Sequence, residues 1–184
     1  MYIVVGLGNP GDEYACTRHN TGRMAVAFCE KKFTPDSKGG DIKGVKYLHL
    51  DTFMNKSGSG VTKVIKSKKA AQKLVVIYDD LDLPLGTVKV SYNRGSGGHR
   101  GLESVIKALK TTEFIRIRIG TSKSTPSGKL KKPIGEKEVE KHILGEFKKP
   151  ELDVLKKVFK RVAEAVETIA ESGYERAMTE CNSK

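Results

Sequence analysis

His19, Asp79, Asn9 and Asn55 are the residues of this chain best suited to chemistry, and each lies in a short, unusual motif. The motifs read Gly6-Leu7-Gly8-Asn9-Pro10-Gly11, Thr17-Arg18-His19-Asn20-Thr21-Gly22, Thr52-Phe53-Met54-Asn55-Lys56-Ser57-Gly58 and Asp79-Asp80-Leu81-Asp82-Leu83-Pro84. A fifth, Gly97-Gly98-His99-Arg100-Gly101, follows. An imidazole titrates near neutrality and can draw a proton from water. A carboxylate beside it fixes one tautomer and favours the imidazolium formed during attack. A side-chain amide offers a donor and an acceptor in one plane, so it can hold a peptide group or a developing oxyanion. Together these groups equip a general-base hydrolase that has no covalent nucleophile.

Other chemistries fit the residues less well. Gly6 to Gly11 satisfies the G-x-G-x-x-G pattern of dinucleotide sites. That pattern should open directly into a helix, with an acidic residue about 20 positions on at the end of a second strand. Here Pro10 to Tyr14 continues as loop, and Glu30 falls inside a helical pattern. The glycines read instead as a sharp turn that carries Asn9 to the rim of a cleft. Cys16 precedes His19 closely, but no oxyanion motif supports a thiol nucleophile. The Asp-rich turn could bind a metal, but no second ligand cluster supports it. Asp80 and Asp82 read as turn residues with local hydrogen bonds, His99 as a helix cap or packing residue, and His49 and His142 as surface residues.

These side chains need a scaffold, and the patterning supplies one. Tyr2 to Gly6, Val45 to Leu50, Leu74 to Tyr78, Thr87 to Tyr92 and Ile115 to Ile119 read as strands. The apolar, β-branched run from Leu74 marks a central strand, and Asp79 follows it at the carboxyl end, where ligand-binding residues gather. Gly22 to Phe33, Asn55 to Lys69, Leu102 to Leu109 and Glu136 to Leu144 read as helices, with Val61, Val64 and Ile65 facing inward from the second. A long C-terminal helix spans 150–172, with Leu155, Val158, Phe159, Val162, Val166 and Ile169 on its apolar stripe. Residues 34–44 read as a connecting loop and residues 121–135 as a mobile basic loop. Strands interleaved with helices predict an α/β sandwich, a mixed central sheet flanked by helices, as one domain over 1–184.

The chain carries net charge +12, with Lys plus Arg at 34 against 22 for Asp plus Glu. Such a surface points to a polyanionic partner, nucleic acid first. The three cysteines are odd in number and form no Cys-x-x-Cys pair. With no apolar run of membrane length and no secretory leader, the chain reads as a reduced, cytoplasmic protein that does not engage membranes.

The five motifs, in this order and spacing, resemble those of the bacterial-type peptidyl-tRNA hydrolase family, from Ile3 to about Ile169. The resemblance implies an α/β fold and a cofactor-free, monomeric, cytosolic enzyme. Such an enzyme cleaves the ester between a peptide and the terminal ribose of tRNA. It implies His19 as the base, Asp79 as its partner, and Asn9 and Asn55 as amides on the peptide end and ester region. It further implies Phe53 and Met54 as an apolar wall, Tyr14 at the cleft mouth, and Lys89 and Arg118 on tRNA phosphates. Arg100 departs from the family's usual His-Asn-Gly wording; Arg cannot accept a hydrogen bond, so it would donate to an oxyanion or a phosphate. An RNA-binding relative that has lost hydrolysis is the alternative reading, and a nicotinamide oxidoreductase the remoter one.

Overall fold

A computed structural model describes residues 1–33 and 42–183. Its strands are β1 (Tyr2–Gly6), β2 (Val45–Leu48), β3 (Leu74–Pro84), β4 (Val88–Tyr92), β5 (Ile115–Ser124) and β6 (Leu130–Lys131). They form one mixed sheet in the order β2-β1-β3-β5-β4, with β6 paired to the end of β5. β1, β2, β3 and β5 are parallel, whereas β4 and β6 run antiparallel to β5. β3 is central because its start is apolar on both faces. Val75 and Ile77 enter one core, while Leu74, Val76 and Tyr78 enter the other.

Helices cover both faces, as the sequence predicts. α1 (Thr21–Lys32), α6 (Lys149–Ser172) and α7 (Tyr174–Asn182) close the first face. α2 (Ser57–Val61), α3 (Lys68–Ala71) and α4 (Arg100–Leu109) close the second. α5 (Glu136–Ile143) buries no residue fully and borders the cleft described below.

Four elements differ from expectation. The single helix expected over Asn55 to Lys69 is a 3-10 turn, Met54–Lys56, followed by the short α2 and α3. Gly58 and Gly60 weaken that stretch as a helix. Gly58 is nonetheless required, since a Cβ there would overlap the Ser104 carbonyl of α4. With the helix ended at Val61, Val64 turns outward to 39% exposure, while Val61 and Ile65 stay buried. The Asp79 to Leu83 run, expected as a turn, continues β3 against β5 as far as Pro84↔Ser122, with an irregularity between Asp80 and Pro84. That extension gives Thr121 and Ser122 a buried place in β5, and β6 pairs back on Lys123 and Ser124. The first part of the expected 121–135 loop is therefore a hairpin. Finally, Gly173 (φ 87°) ends α6 and the chain restarts as α7, which packs on β4; Tyr174 stacks on Tyr92 at 4.4 Å. Of the expected 34–44 connection, residues 34–41 lie outside the described residues.

The first glycine loop works differently from the sharp turn anticipated. Only Gly11 in it has positive φ. Gly6 is there for close approach: a Cβ on it would overlap the Gly22 carbonyl, and one on Gly22 would overlap the carbonyl of Ile77. This contact lets α1 start directly over the ends of β1 and β3. Gly22→Ala is expected to destabilise the fold by about 1–3 kcal/mol, because the overlapped atoms are backbone and cannot swing away. The urea midpoint should fall at constant m-value. An unchanged midpoint would show that the contact relaxes freely.

Candidate active site

The tight start of α1 places a one-turn 3-10 segment, Arg18–Asn20, beside the carboxyl half of β3. The turn is braced from outside. Arg18 donates its backbone N–H to Gly145 (3.0 Å) and its guanidinium to both Glu151 oxygens (3.0 Å), and lies over the Phe147 ring. Burial would raise the Glu151 carboxyl, but hydrogen bonds from the Lys148 N–H and Arg18 outweigh it and lower its pKa. Nothing in the sequence around them assigns Arg18 or Asn20 a role of its own. Their signal was an unbroken polar run at a helix start.

His19 Nδ1 lies 3.0 and 3.1 Å from the two oxygens of Asp79. His99 Nε2 lies 3.1 Å from the same Oδ1. His99 Nδ1 accepts from the Leu102 N–H at 3.2 Å, capping α4 as anticipated. That contact fixes the tautomer: Nε2 of His99 carries the proton and donates to Asp79. A neutral His19 that donates from Nδ1 keeps its Nε2 lone pair free. Tyr78 sets its ring edge-on to His99 at 5.0 Å, and burial raises its phenol to about 12. Burial pushes the Asp79 carboxyl up, yet attraction to and hydrogen bonds from His19 and His99 outweigh it. Its pKa is held well below the usual carboxylate range. The contact of His99 with Asp79 was the feature sequence reading missed, since nothing local marks it.

Asn9 is clamped at the rim. Its backbone N–H donates to Asn20 Oδ1 (2.8 Å) and its carbonyl accepts from Asn20 Nδ2 (2.9 Å). Its own Oδ1 accepts from the Met54 N–H at 2.8 Å. The amide oxygen is thus partly used, and the Nδ2 donor is the group left wholly free for a substrate. Asn55 is exposed, and among the described residues no side-chain hydrogen bond occupies its amide.

These residues line one cavity of about 810 Å³, within the range of small-molecule sites. Tyr14, Phe53, Met54, Arg100 and Arg118 line it too. Phe53 is 54% exposed and Met54 is buried, so the apolar wall is half open. Arg118 pairs with Asp80 (2.7 Å) in a mostly buried contact, and Arg100 with Glu136 (2.6 Å) at the exposed rim. Lys89 is not in the cavity: its ammonium donates to the Asn182 carbonyl (2.6 Å) at the end of α7. Cys16 is exposed and also outside it. His49 is a surface residue paired with Glu30. His142, expected at the surface, is half-buried and donates Nε2–H to the Thr121 carbonyl (3.1 Å); burial and nearby Arg18 lower its pKa.

Among the described residues, the ligand atoms of His19, Asp79 and His99 come within 4.8 Å of one another and could hold a metal ion. The same atoms already make N–H to carboxylate bonds at 3.0–3.1 Å, which a metal would have to replace.

A two-sided α/β fold with a buried imidazole–carboxylate pair at the floor of a substrate-sized cleft defines a hydrolytic enzyme. Residues 3–184 match the family model described as peptidyl-tRNA hydrolase. The peptidyl-tRNA hydrolase of Syntrophotalea carbinolica is 35% identical, covering 100% of this chain and 98% of its own length. That of Carboxydothermus hydrogenoformans is 37% identical, covering 99% and 98%. The crystal structure of peptidyl-tRNA hydrolase from Acinetobacter baumannii superposes with a TM-score of 0.83 at 29% identity, covering 99% of this chain and 94% of that one. The chain belongs to the peptidyl-tRNA hydrolase family. The match reaches past Ile169 and takes in α7.

Proposed function

We propose that this chain hydrolyses the ester between a peptide and the terminal ribose of tRNA, with His19 as general base. Nε2 of His19 takes a proton from water as the oxygen attacks the ester carbonyl. The tetrahedral intermediate collapses, the bond from carbon to ribose oxygen breaks, and the imidazolium returns its proton to the leaving oxygen. Asp79 holds the tautomer and offsets the transient charge. Asn9 Nδ2 donates to the oxyanion or to the peptide carbonyl, and Asn55 orients the ester region. Phe53, Met54 and Tyr14 pack on the peptide and the terminal base, and Arg100 and Arg118 meet tRNA at the rim. Lys89 would touch tRNA only outside the cleft.

The observation that carries this reading is the His19–Asp79 contact, buried at the floor of a cleft that also presents the two asparagines. An ester is activated enough that one base and one oxyanion donor suffice, and neither metal nor organic cofactor has a step. Among the described residues no helix is long and apolar enough to cross a membrane. The protein acts as a cytoplasmic monomer whose macromolecular partner is tRNA.

The test is release of N-acetyl-amino acid from N-acetyl-aminoacyl-tRNA by the purified chain in EDTA. Release is expected. Bound but uncleaved tRNA would instead favour the RNA-binding reading. Activity that disappears in EDTA and returns with a divalent metal would overturn the metal-free mechanism.

A further inference from the structure

Resting on the reading above, the geometry points to Lys56 and Arg94 as the pair that holds phosphodiesters of the single-stranded tRNA 3′ end against the cleft. The net charge of +12 does not reside in the cleft. Of the five cations lining it, three are offset by carboxylates of the same cavity. Arg100 pairs with Glu136, Arg118 with Asp80, and Lys132 with Asp82. Lys56 and Arg94 are both exposed and line the cavity, with no ion-pair partner among the described residues. A cation already paired must give up a carboxylate to take a phosphate, so its net gain is small. An unpaired one keeps only mobile counterions, whose release drives binding.

Their placement gives the strand a path. Lys56 ends the 3-10 turn Met54–Lys56 beside Asn55. Arg94 opens the loop Gly95-Ser96-Gly97-Gly98, which also lines the cavity. Among the described residues, no atom beyond the adjoining ones lies within 4 Å of the site a Cβ would occupy at Gly95, Gly97 or Gly98. The loop thus offers bare backbone that a phosphate can approach closely.

Arg94 stands on a rigid base. Its carbonyl accepts from the fully buried guanidinium of Arg116, which also bonds the Thr112 and Phe114 carbonyls. Burial, with Arg94 and Arg118 nearby, lowers the Arg116 pKa to about 10. α5, which reaches the cavity rim at the Arg100–Glu136 pair, brings Glu136 and Glu140 with Val139, Ile143 and Leu144. Carboxylates repel phosphates, so the nucleic acid lies on the Lys56 and Arg94 side and the peptide on the α5 side.

The experiment compares three esters of the same N-acetyl-amino acid: full tRNA, the trinucleotide CpCpA, and adenosine, which carries no phosphate. Cleavage of these by the wild type establishes the hydrolase reading; absence of cleavage sinks that reading and the present one together. With cleavage established, Lys56→Gln and Arg94→Gln are each expected to raise KM about 3–10-fold on tRNA and on CpCpA. The effect should shrink to less than about twofold on the adenosine ester. Each should also flatten the plot of log KM against log salt by about 0.7. Lys160→Gln, an exposed cation of α6 outside the cleft, serves as the control for general charge. Equal KM increases on the phosphate-free ester, an effect on tRNA but not on CpCpA, or an equal effect of Lys160→Gln would each overturn the assignment.

Discussion

His19→Ala is expected to lower kcat on N-acetyl-aminoacyl-tRNA by about 10²–10⁴-fold, the usual contribution of a positioned general base. KM should change little, because the imidazole acts on the attacking water and makes its decisive contact only in the transition state. The prediction draws on burial as well as identity. His19 is 6% exposed, held by the braced 3-10 turn and bonded to Asp79, so no neighbouring group can take its place. His99 cannot substitute, since both its nitrogens are engaged, one by the Leu102 N–H and one by Asp79. Single-turnover kinetics would separate the chemical step from product release. A loss smaller than tenfold, in a variant with an unchanged urea midpoint, would remove His19 from the mechanism.

Asp79→Asn is expected to cost turnover on a comparable scale, about 10²–10⁴-fold, for a reason specific to this site. Asp79 accepts hydrogen bonds from two imidazoles, and an asparagine there has only one acceptor oxygen. His99 is pinned by the Leu102 N–H and must keep its proton on Nε2, so the amide oxygen stays at Oδ1, the atom that both imidazoles contact. The new amide NH2 then replaces Oδ2, 3.1 Å from His19 Nδ1, and favours that nitrogen as an acceptor. His19 shifts its proton to Nε2, and the lone pair that should receive the water proton is lost. Nitrogen-15 shifts of the His19 ring would report the change directly. Retained Nδ1–H with retained activity would refute the tautomer argument, while a large loss of tRNA affinity would assign Asp79 a structural role.

The same substitution changes acid stability. The folded Asp79 pKa lies below the unfolded carboxylate value of ~3.9. In that window the unfolded chain binds the proton and the folded one does not, so stability rises with pH. The contribution is fully present above ~4 and is lost as pH falls toward the folded pKa. Between about pH 4 and pH 2 the wild type should therefore lose stability more steeply than Asp79→Asn. Parallel urea midpoints across that range would show that the carboxylate is not held by the histidines.

Much of the scaffold was legible in the sequence because burial imposes periodicity. Leu74 to Tyr78 reads as a central strand since a strand covered on both faces must be apolar throughout. The α6 stripe reads correctly because one face of its 24 residues, about seven turns, meets one core. The reading failed where a neighbour decided the local state. The stretch from Asn55 looks helical, but Gly58 serves the crossing with α4 and the helix stops. Alternation in β5 implies a polar face at Arg116 and Arg118, yet Arg116 is fully buried, its two terminal nitrogens bonded to carbonyls of residues 94, 112 and 114. An arginine in the interior is tolerable only with such partners, and none of them is visible in the pattern.

The sequence by itself determined which side chains this protein has for chemistry. Motif identity named His19, Asp79, Asn9 and Asn55, and patterning put Asp79 at the carboxyl half of the central strand. Tertiary structure decided what each one can do. His19 and Asp79 are 60 residues apart, and they meet because Gly22 lets α1 press on the sheet and because Arg18 is tied to Glu151. Packing made His99 a second donor to Asp79, took the Asn9 oxygen for Met54 and moved Lys89 to the end of α7. It also paired most of the cleft's cations with carboxylates. A residue's type fixes its donors, acceptors and charge, but which of them remain free depends on neighbours that only the folded chain brings within 3 Å.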